Sequence, residues 1–123
     1  MARCLSCLCF IGFSAFLVSC SEAPSERAAK HESRGDGYVQ QEKVLEAVIE
    51  YKNAARVAPD NPAIHWKLAK AASQVGDPST IFTSLSRVVQ LDPTDFDAQW
   101  SLGDFYLAAG KTDEVAKLAE SLL

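Results

Sequence analysis

Cysteine is absent after position 20 of this 123-residue chain, and histidine occurs only at His31 and His65. The residues beyond position 20 therefore offer no pair of thiols for a disulfide and no Cys–His set for structural zinc. They also lack a cysteine nucleophile, and no glycine-rich phosphate loop follows a strand, because no strand is predicted. We therefore expect no enzyme activity, no catalytic residue, no metal and no cofactor.

Positive charge is also scarce. Lysine and arginine number 12 against 16 aspartates and glutamates, which gives a formal net charge of −4. The acidic excess is concentrated at the end, where seven acidic residues from Asp92 onward face only Lys111 and Lys117. No basic stripe is present, so we expect no nucleic-acid partner. The acidic bias suits a solvated surface or, as a sharper alternative, a basic partner.

No apolar run is as long as the ~20 residues that a membrane-spanning helix needs. The longest, residues 4–18, follows Arg3 and has the layout of an export signal, which we assign to residues 1–19. The run ends in Leu-Val-Ser-Cys at positions 17–20. The three cysteines inside it, at positions 4, 7 and 9, have no histidine or carboxylate beside them and predict no metal site.

The Leu-Val-Ser-Cys ending resembles the lipobox of bacterial lipoproteins. The resemblance implies cleavage before Cys20, a diacylglycerol thioether on its sulfur and acylation, typically by palmitate, of the new amino terminus. An ordinary secretory signal with an incidental cysteine is the alternative. A lipidated Cys20 would hold the protein at a membrane, and Ser21 after it predicts a bacterial cell-envelope protein in the outer membrane, facing the periplasm. Residues 20–30, small and polar, are predicted to form the lipidated cysteine and a flexible tether.

The rest of the chain repeats itself at a fixed spacing, which we call the sequence period. Residues 34 positions apart carry the same or a similar side chain: Val57 and Leu91, Pro59 and Pro93, Trp66 and Trp100, Leu68 and Leu102, Gly76 and Gly110. Apolar residues at helical spacing predict helices over 43–57, 62–75, 79–91, 96–109 and 112–122. A further helix over 29–40 is weaker, because Gly35 and Gly37 lower helix propensity.

The segment Trp-Ser-Leu-Gly-Asp-Phe-Tyr at 100–106, followed by Gly110, resembles the first helix of a tetratricopeptide repeat (TPR), and Pro59 and Pro93 resemble its closing proline. The resemblance implies an all-α, right-handed α-solenoid of antiparallel helix pairs, with about three units at 31–61, 62–95 and 96–123. It extends to the N-terminal part of TPR lipoproteins of exopolysaccharide-export systems associated with PEP-CTERM sorting. The second unit departs most from the pattern, with Ala69, Ala72 and Ile81 at its characteristic positions.

In such repeats the first helix of each pair lines a concave surface that binds other proteins. The large aromatic of the pattern is replaced here by His65 and Gln99, and the tryptophans stand one residue later. One step along a helix turns a side chain by about 100°, which directs both indoles into the groove. We therefore predict the following partner-binding residues: Trp66, Lys70, Ser73, Asp97, Trp100, Asp104 and Leu107. The alternative is that the tryptophans stay half-buried and only pack.

The resulting functional prediction is a membrane-tethered scaffold that binds another envelope protein or a peptide segment. It would act in envelope assembly, secretion or exopolysaccharide export. Two alternatives remain open. The chain could open a longer or self-associating repeat array, because its last predicted helix, with Leu118 and Leu122, is apolar. It could also contact cell-wall glycan through the two tryptophans.

Overall fold

A computed structural model describes residues 22–120. The predicted signal peptide and lipidated Cys20 lie outside the described residues, as do residues 121–123. Within 22–120, no helix combines the length and the apolar character that crossing a bilayer requires.

Six α-helices and no strand make up the described chain, which confirms the all-α prediction. Each helix packs against the next in the chain, so that the helices form three antiparallel pairs stacked in sequence order. Their bounds are α1 Pro24–Gln40, α2 Val44–Val57, α3 Pro62–Val75, α4 Pro78–Leu91, α5 Phe96–Ala108 and α6 Thr112–Glu120.

The turn inside each pair has one geometry, repeated three times. A residue with positive φ ends the first helix, and the following N–H bonds back to a carbonyl five residues earlier, as in a Schellman cap. The positive-φ residues are Glu42 (60°), Gly76 (70°) and Gly110 (69°). The bonds run from Lys43 to Tyr38 (2.9 Å), from Asp77 to Ala72 (3.0 Å) and from Lys111 to Tyr106 (2.8 Å). Because each turn lies one sequence period after the one before it, the backbone follows the period of the sequence.

Helices α3 to α5 begin with matching sequence signals. Asn61, Asp77 and Asp95 precede them, and each side chain accepts a hydrogen bond from a backbone N–H of the first turn. This satisfies donors that a helix start otherwise leaves unpaired. Pro62 and Pro78 occupy the first turn of α3 and α4, where a missing N–H has no consequence.

The structure corrects the predicted tether. Helix α1 starts at Pro24, so residues 24–30 form its first two turns instead of a flexible segment, and the first unit starts about seven residues earlier than predicted. Ala28, only 4% exposed, packs with Ala54 of α2 and Ile64 of α3, and Lys30 pairs with Glu22. Burial of a small side chain against two helices therefore overrides the polar local composition.

Gly35 lies in the middle of α1 for a packing reason. A β-carbon there would lie 2.5 Å from Cε1 and 2.7 Å from Cδ1 of Tyr51. The ring of Tyr51 fills the space that the missing side chain leaves, and it joins Ala47, Leu68 and Ala71 in the core between α2 and α3. The glycine that weakens the helix locally is therefore the residue that lets α1 approach α2 closely.

Candidate partner-binding groove

Helices α3 and α5 form the two walls of an open groove of about 690 Å³, which we call the concave groove. Ile81 and Leu85 of α4 lie at its base. Six of the seven predicted residues line it: Trp66, Lys70 and Ser73 from α3, and Asp97, Trp100 and Asp104 from α5. Leu107, the seventh, does not line this groove. It lines a cavity between α5 and α6 that Trp100 and Asp104 also border.

Trp66 is half-buried, and its polar atom is already engaged. The indole packs on the core formed by Ala69, Leu85 and Leu102. Its Nε1–H donates a 2.6 Å hydrogen bond to Asp95 Oδ2, while Asp95 Oδ1 caps the start of α5. The tryptophan therefore joins α3 to the first turn of α5, and the packing alternative describes much of its role.

Lys70 lies over the same indole, with its ammonium 5.2 Å from the ring centroid. This distance allows a cation–π interaction, worth about 0.5–1 kcal/mol at an exposed site. No carboxylate within residues 22–120 forms an ion pair with this ammonium, and Lys70 lines the concave groove.

Trp100 occupies the same repeat position as Trp66 and has a different environment. Its side chain is 74% exposed, and no described residue accepts a hydrogen bond from its indole. It stands on the ridge between the concave groove and the cavity that contains Leu107. Exposed large apolar residues flank it on α5, namely Phe96 at 70% and Leu107 at 55%.

A charged cluster joins α1, α2 and α3 beside the concave groove. Lys67 Nζ lies 2.7 Å from Glu32 and 2.8 Å from Asp36, and Tyr51 donates a 2.7 Å hydrogen bond to Asp36. Partial burial opposes ionisation of Asp36, but the hydrogen bonds from Lys67 and Tyr51 outweigh it and lower the pKa of the carboxyl. Burial opposes the charge of Lys67 as well, yet hydrogen bonds to Asp36 and Glu32 raise its pKa. The charge of Lys67 is therefore paired with the two carboxylates of α1.

Two residues in this region have a role that the sequence did not predict. His65 Nε2 donates a 2.9 Å hydrogen bond to the carbonyl of Pro59, and Gln99 Nε2 donates a 2.6 Å hydrogen bond to that of Pro93. The two bonds have the same separation along the chain and lie one sequence period apart. The departure from the aromatic of the pattern therefore places a donor that fastens each first helix to the proline turn before it. The sequence offered one signal for these two hydrogen bonds, namely that His65 and Gln99 lie one sequence period apart, as Pro59 and Pro93 do.

Each of the two histidines has a hydrogen-bond partner within the described chain. His31 donates its Nδ1–H to Glu50 (2.6 Å), and His65 is bound to Pro59. Among residues 22–120, no three His, Cys, Asp or Glu side chains are grouped so as to hold a metal ion. Asp113 and Glu114 lie in the first turn of α6, where negative charge stabilises a helix start.

Comparison with known proteins agrees with this geometry. A family model described as TPR repeat matches residues 35–76, the second part of the first unit together with α3. The first TPR of Spaghetti (RPAP3) bound to HSP90 peptide SRMEEVD is similar in structure. Its TM-score is 0.66 at 24% identity, over 80% of this chain and 79% of that one. The second TPR of Spaghetti, bound to the same peptide, gives 0.66 at 18% identity, over 79% and 90%.

A mutant of MamA is also similar, with a TM-score of 0.64 at 20% identity over 76% of this chain and 69% of that one. No curated protein matches the chain in sequence. The described residues therefore form a TPR-type α-solenoid, as predicted.

Proposed function

We propose that this chain is a lipid-anchored scaffold of the bacterial cell envelope that holds a segment of another envelope protein in the concave groove. Trp100 is the observation that carries the proposal. It combines a large apolar surface and an unused N–H with 74% exposure, in a groove that offers charges of both signs. Tryptophan is the residue type most enriched among those that dominate binding energy at protein interfaces.

The charges of the concave groove favour a partner segment that is basic or mixed. Asp97 and Asp104 line the α5 wall, and Lys70 is the cation that faces them. The two Spaghetti structures contain the peptide SRMEEVD, which is rich in carboxylates. Asp97 and Asp104 would repel such a segment, so we expect this chain to select against acidic peptides and free C-termini.

The anchor is the part of the proposal that rests on sequence alone. The lipobox resemblance at 17–20 supports cleavage before Cys20 and lipidation of its sulfur, and Ser21 after it supports a place in the outer membrane. The expected result is that Cys20→Ser moves the chain from the membrane to the soluble fraction in cells. Mass spectrometry of the N-terminal peptide should find a diacylglyceryl group on Cys20. An unmodified thiol at the start of the mature chain would contradict the anchor.

Site-specific photo-crosslinking in cells tests the groove. A photoreactive residue at position 100 should give an adduct with one envelope protein. The matched control is position 45 on α2, because Leu45 is also exposed (66%) and lines none of the described cavities near Trp100. Equal adducts from both positions would contradict the groove. An adduct with cell-wall glycan and no protein would favour the glycan-contacting alternative.

Stability measurements separate binding from packing. Trp100→Ala should change the free energy of unfolding by less than about 0.5 kcal/mol, because the side chain is exposed. Trp66→Ala should lower it by about 2 kcal/mol, because a half-buried indole and its hydrogen bond are lost. Loss of capture by Trp100→Ala with unchanged stability supports the groove, and loss of stability with unchanged capture would make Trp100 a packing residue.

A further inference from the structure

The cavity between α5 and α6, of about 290 Å³, differs from the concave groove in having almost no polar lining. On α5, Phe96, Trp100, Gly103 and Leu107 follow each other at helical spacing and form one stripe. Val115, Leu118 and Ala119 of α6 form the other wall. We call this surface the end groove.

The same construction occurs twice more in the chain, and there it is filled by a helix. The pair α1/α2 receives α3, whose Leu68 and Ala71 pack on Ala47 and Tyr51. The pair α3/α4 receives α5, whose Leu102 packs between Ala69 and Leu85. A surface that repeats a helix-binding geometry is suited to a helix, because its two stripes of side chains leave a trough of matching width.

Asp104 indicates the charge of a helix that would dock in the end groove. It stands two sequence periods after Asp36, and Asp36 binds Lys67 of the incoming helix α3 at 2.8 Å. A helix docked in the end groove as α3 docks on α1/α2 would bring the residue equivalent to Lys67 to Asp104. A basic residue at that position would pair with a carboxylate that has no ion-pair partner among residues 22–120.

A second copy of the chain meets these requirements poorly. Two end grooves facing each other would bring the Asp104 carboxylates of both copies to one interface, and the residues that line the groove include no lysine or arginine. Stacking the start of one copy on the end of another would place Lys30, Ser33 and Arg34 of α1 in the apolar trough, at the repeat positions of Ile64, Lys67 and Leu68. None of these three α1 residues is apolar.

We propose that the end groove binds an amphipathic α-helix of a partner protein. That helix has an apolar stripe, a basic residue that pairs with Asp104 and no acidic residue beside it. The inference goes beyond the concave groove, because it concerns a different surface and specifies a helical ligand.

The chain itself supplies matched probes. A synthetic peptide of Pro62–Val75 contains Lys67 and Lys70 and no acid, whereas a peptide of Phe96–Ala108 contains Asp97 and Asp104 and no base. Fluorescence anisotropy with the labelled peptides and the purified full chain should show binding of the first peptide at least about tenfold tighter than binding of the second. Leu107→Glu should weaken the first peptide about tenfold, and Leu45→Glu, at an equally exposed leucine, should leave it unchanged.

A double-mutant cycle then tests the ion pair. Asp104→Asn should weaken the normal peptide several-fold and leave a Lys67→Met peptide unaffected. Additive effects would overturn the pairing, and equal binding of the acidic and basic peptides would overturn the proposed charge.

No binding of either peptide would overturn the proposal. A concentration-dependent dimer that Leu107→Glu dissociates would overturn it in favour of a second copy. Lys70 lines the concave groove and not the end groove. The substitution Lys70→Glu in the full chain should therefore leave the affinity for both peptides unchanged. This test can consequently fail independently of the proposed function.

Discussion

Replacing Gly35 and Gly37 by alanine, one at a time, is expected to change the stability of the chain in opposite directions. The two glycines lie two residues apart in α1, on different faces of the helix. A β-carbon at Gly35 would lie 2.5 Å from the Tyr51 ring, whereas at Gly37 it would meet no atom within 4 Å. Both substitutions remove a residue that weakens helices. The two variants therefore differ in the contact with the Tyr51 ring, which the new β-carbon makes only at position 35.

The magnitude follows from two opposing terms. Alanine is favoured over glycine in a helix by about 1 kcal/mol, and at Gly37 this gain is unopposed. At Gly35 overpacking costs about 1–3 kcal/mol. The ring cannot turn away freely, because Tyr51 is buried at 3% exposure and its hydroxyl is bound to Asp36. Weakening that hydrogen bond costs about another 1 kcal/mol.

We therefore expect Gly35→Ala to lower the free energy of unfolding by about 1–3 kcal/mol and Gly37→Ala to raise it by about 0.5–1 kcal/mol. Urea unfolding followed by far-ultraviolet circular dichroism measures both, and the transition midpoints should move to opposite sides of that of the parent chain. A Gly35→Ala variant as stable as Gly37→Ala would refute the close approach of α1 to α2.

Three further perturbations have defined outcomes. Glu42→Gly should raise the free energy of unfolding by about 1 kcal/mol in the same urea assay, because it relieves a left-handed conformation at a non-glycine residue; a loss of stability would refute the turn. Burial and the hydrogen bond to a carboxylate raise the pKa of Tyr51, so stability should fall as pH rises above about 10, where only the unfolded chain loses this proton. Lys67, whose pKa is also raised, should lose its contribution in the same alkaline direction, and Tyr51→Phe should make the fall shallower without abolishing it. Asp95→Ala should lower stability by about 1–2 kcal/mol and shift the fluorescence of Trp66 to the red, because both the cap of α5 and the indole hydrogen bond are lost; an unchanged spectrum would contradict that bond.

The helix boundaries that the sequence predicted correctly depend on local chemistry. The helices predicted over 62–75 and 96–109 end directly before Gly76 and Gly110, and both glycines have the positive φ that glycine tolerates best. Glu42 performs the same task and was missed, because glutamate has no preference for that conformation. Only its place one sequence period before Gly76 marks it. The left-handed conformation at Glu42 can therefore be predicted from the repeat and not from the residue type.

The start of α1 was missed for a related reason. The residues from Pro24 to Lys30 are small, polar and charged, a composition typical of a tether. Their helical state depends on Ala28, whose contacts with Ala54 and Ile64 come from distant parts of the sequence, in the next two helices. Propensity sums over a short window do not contain such contacts.

Position in the repeat predicts the direction in which a side chain points and not the environment that it meets. Trp66 and Trp100 share one repeat position, and both line the concave groove. Their environments differ because Trp66 lies between two units, where Asp95 of the next unit accepts its N–H, whereas Trp100 belongs to the last unit described. The repeat position of a residue determines the direction in which its side chain points, whereas the contacts of that side chain depend on the neighbouring unit. Binding should therefore depend on Trp100, while Trp66 keeps the angle between α3 and α5 at which the two walls of the groove stand.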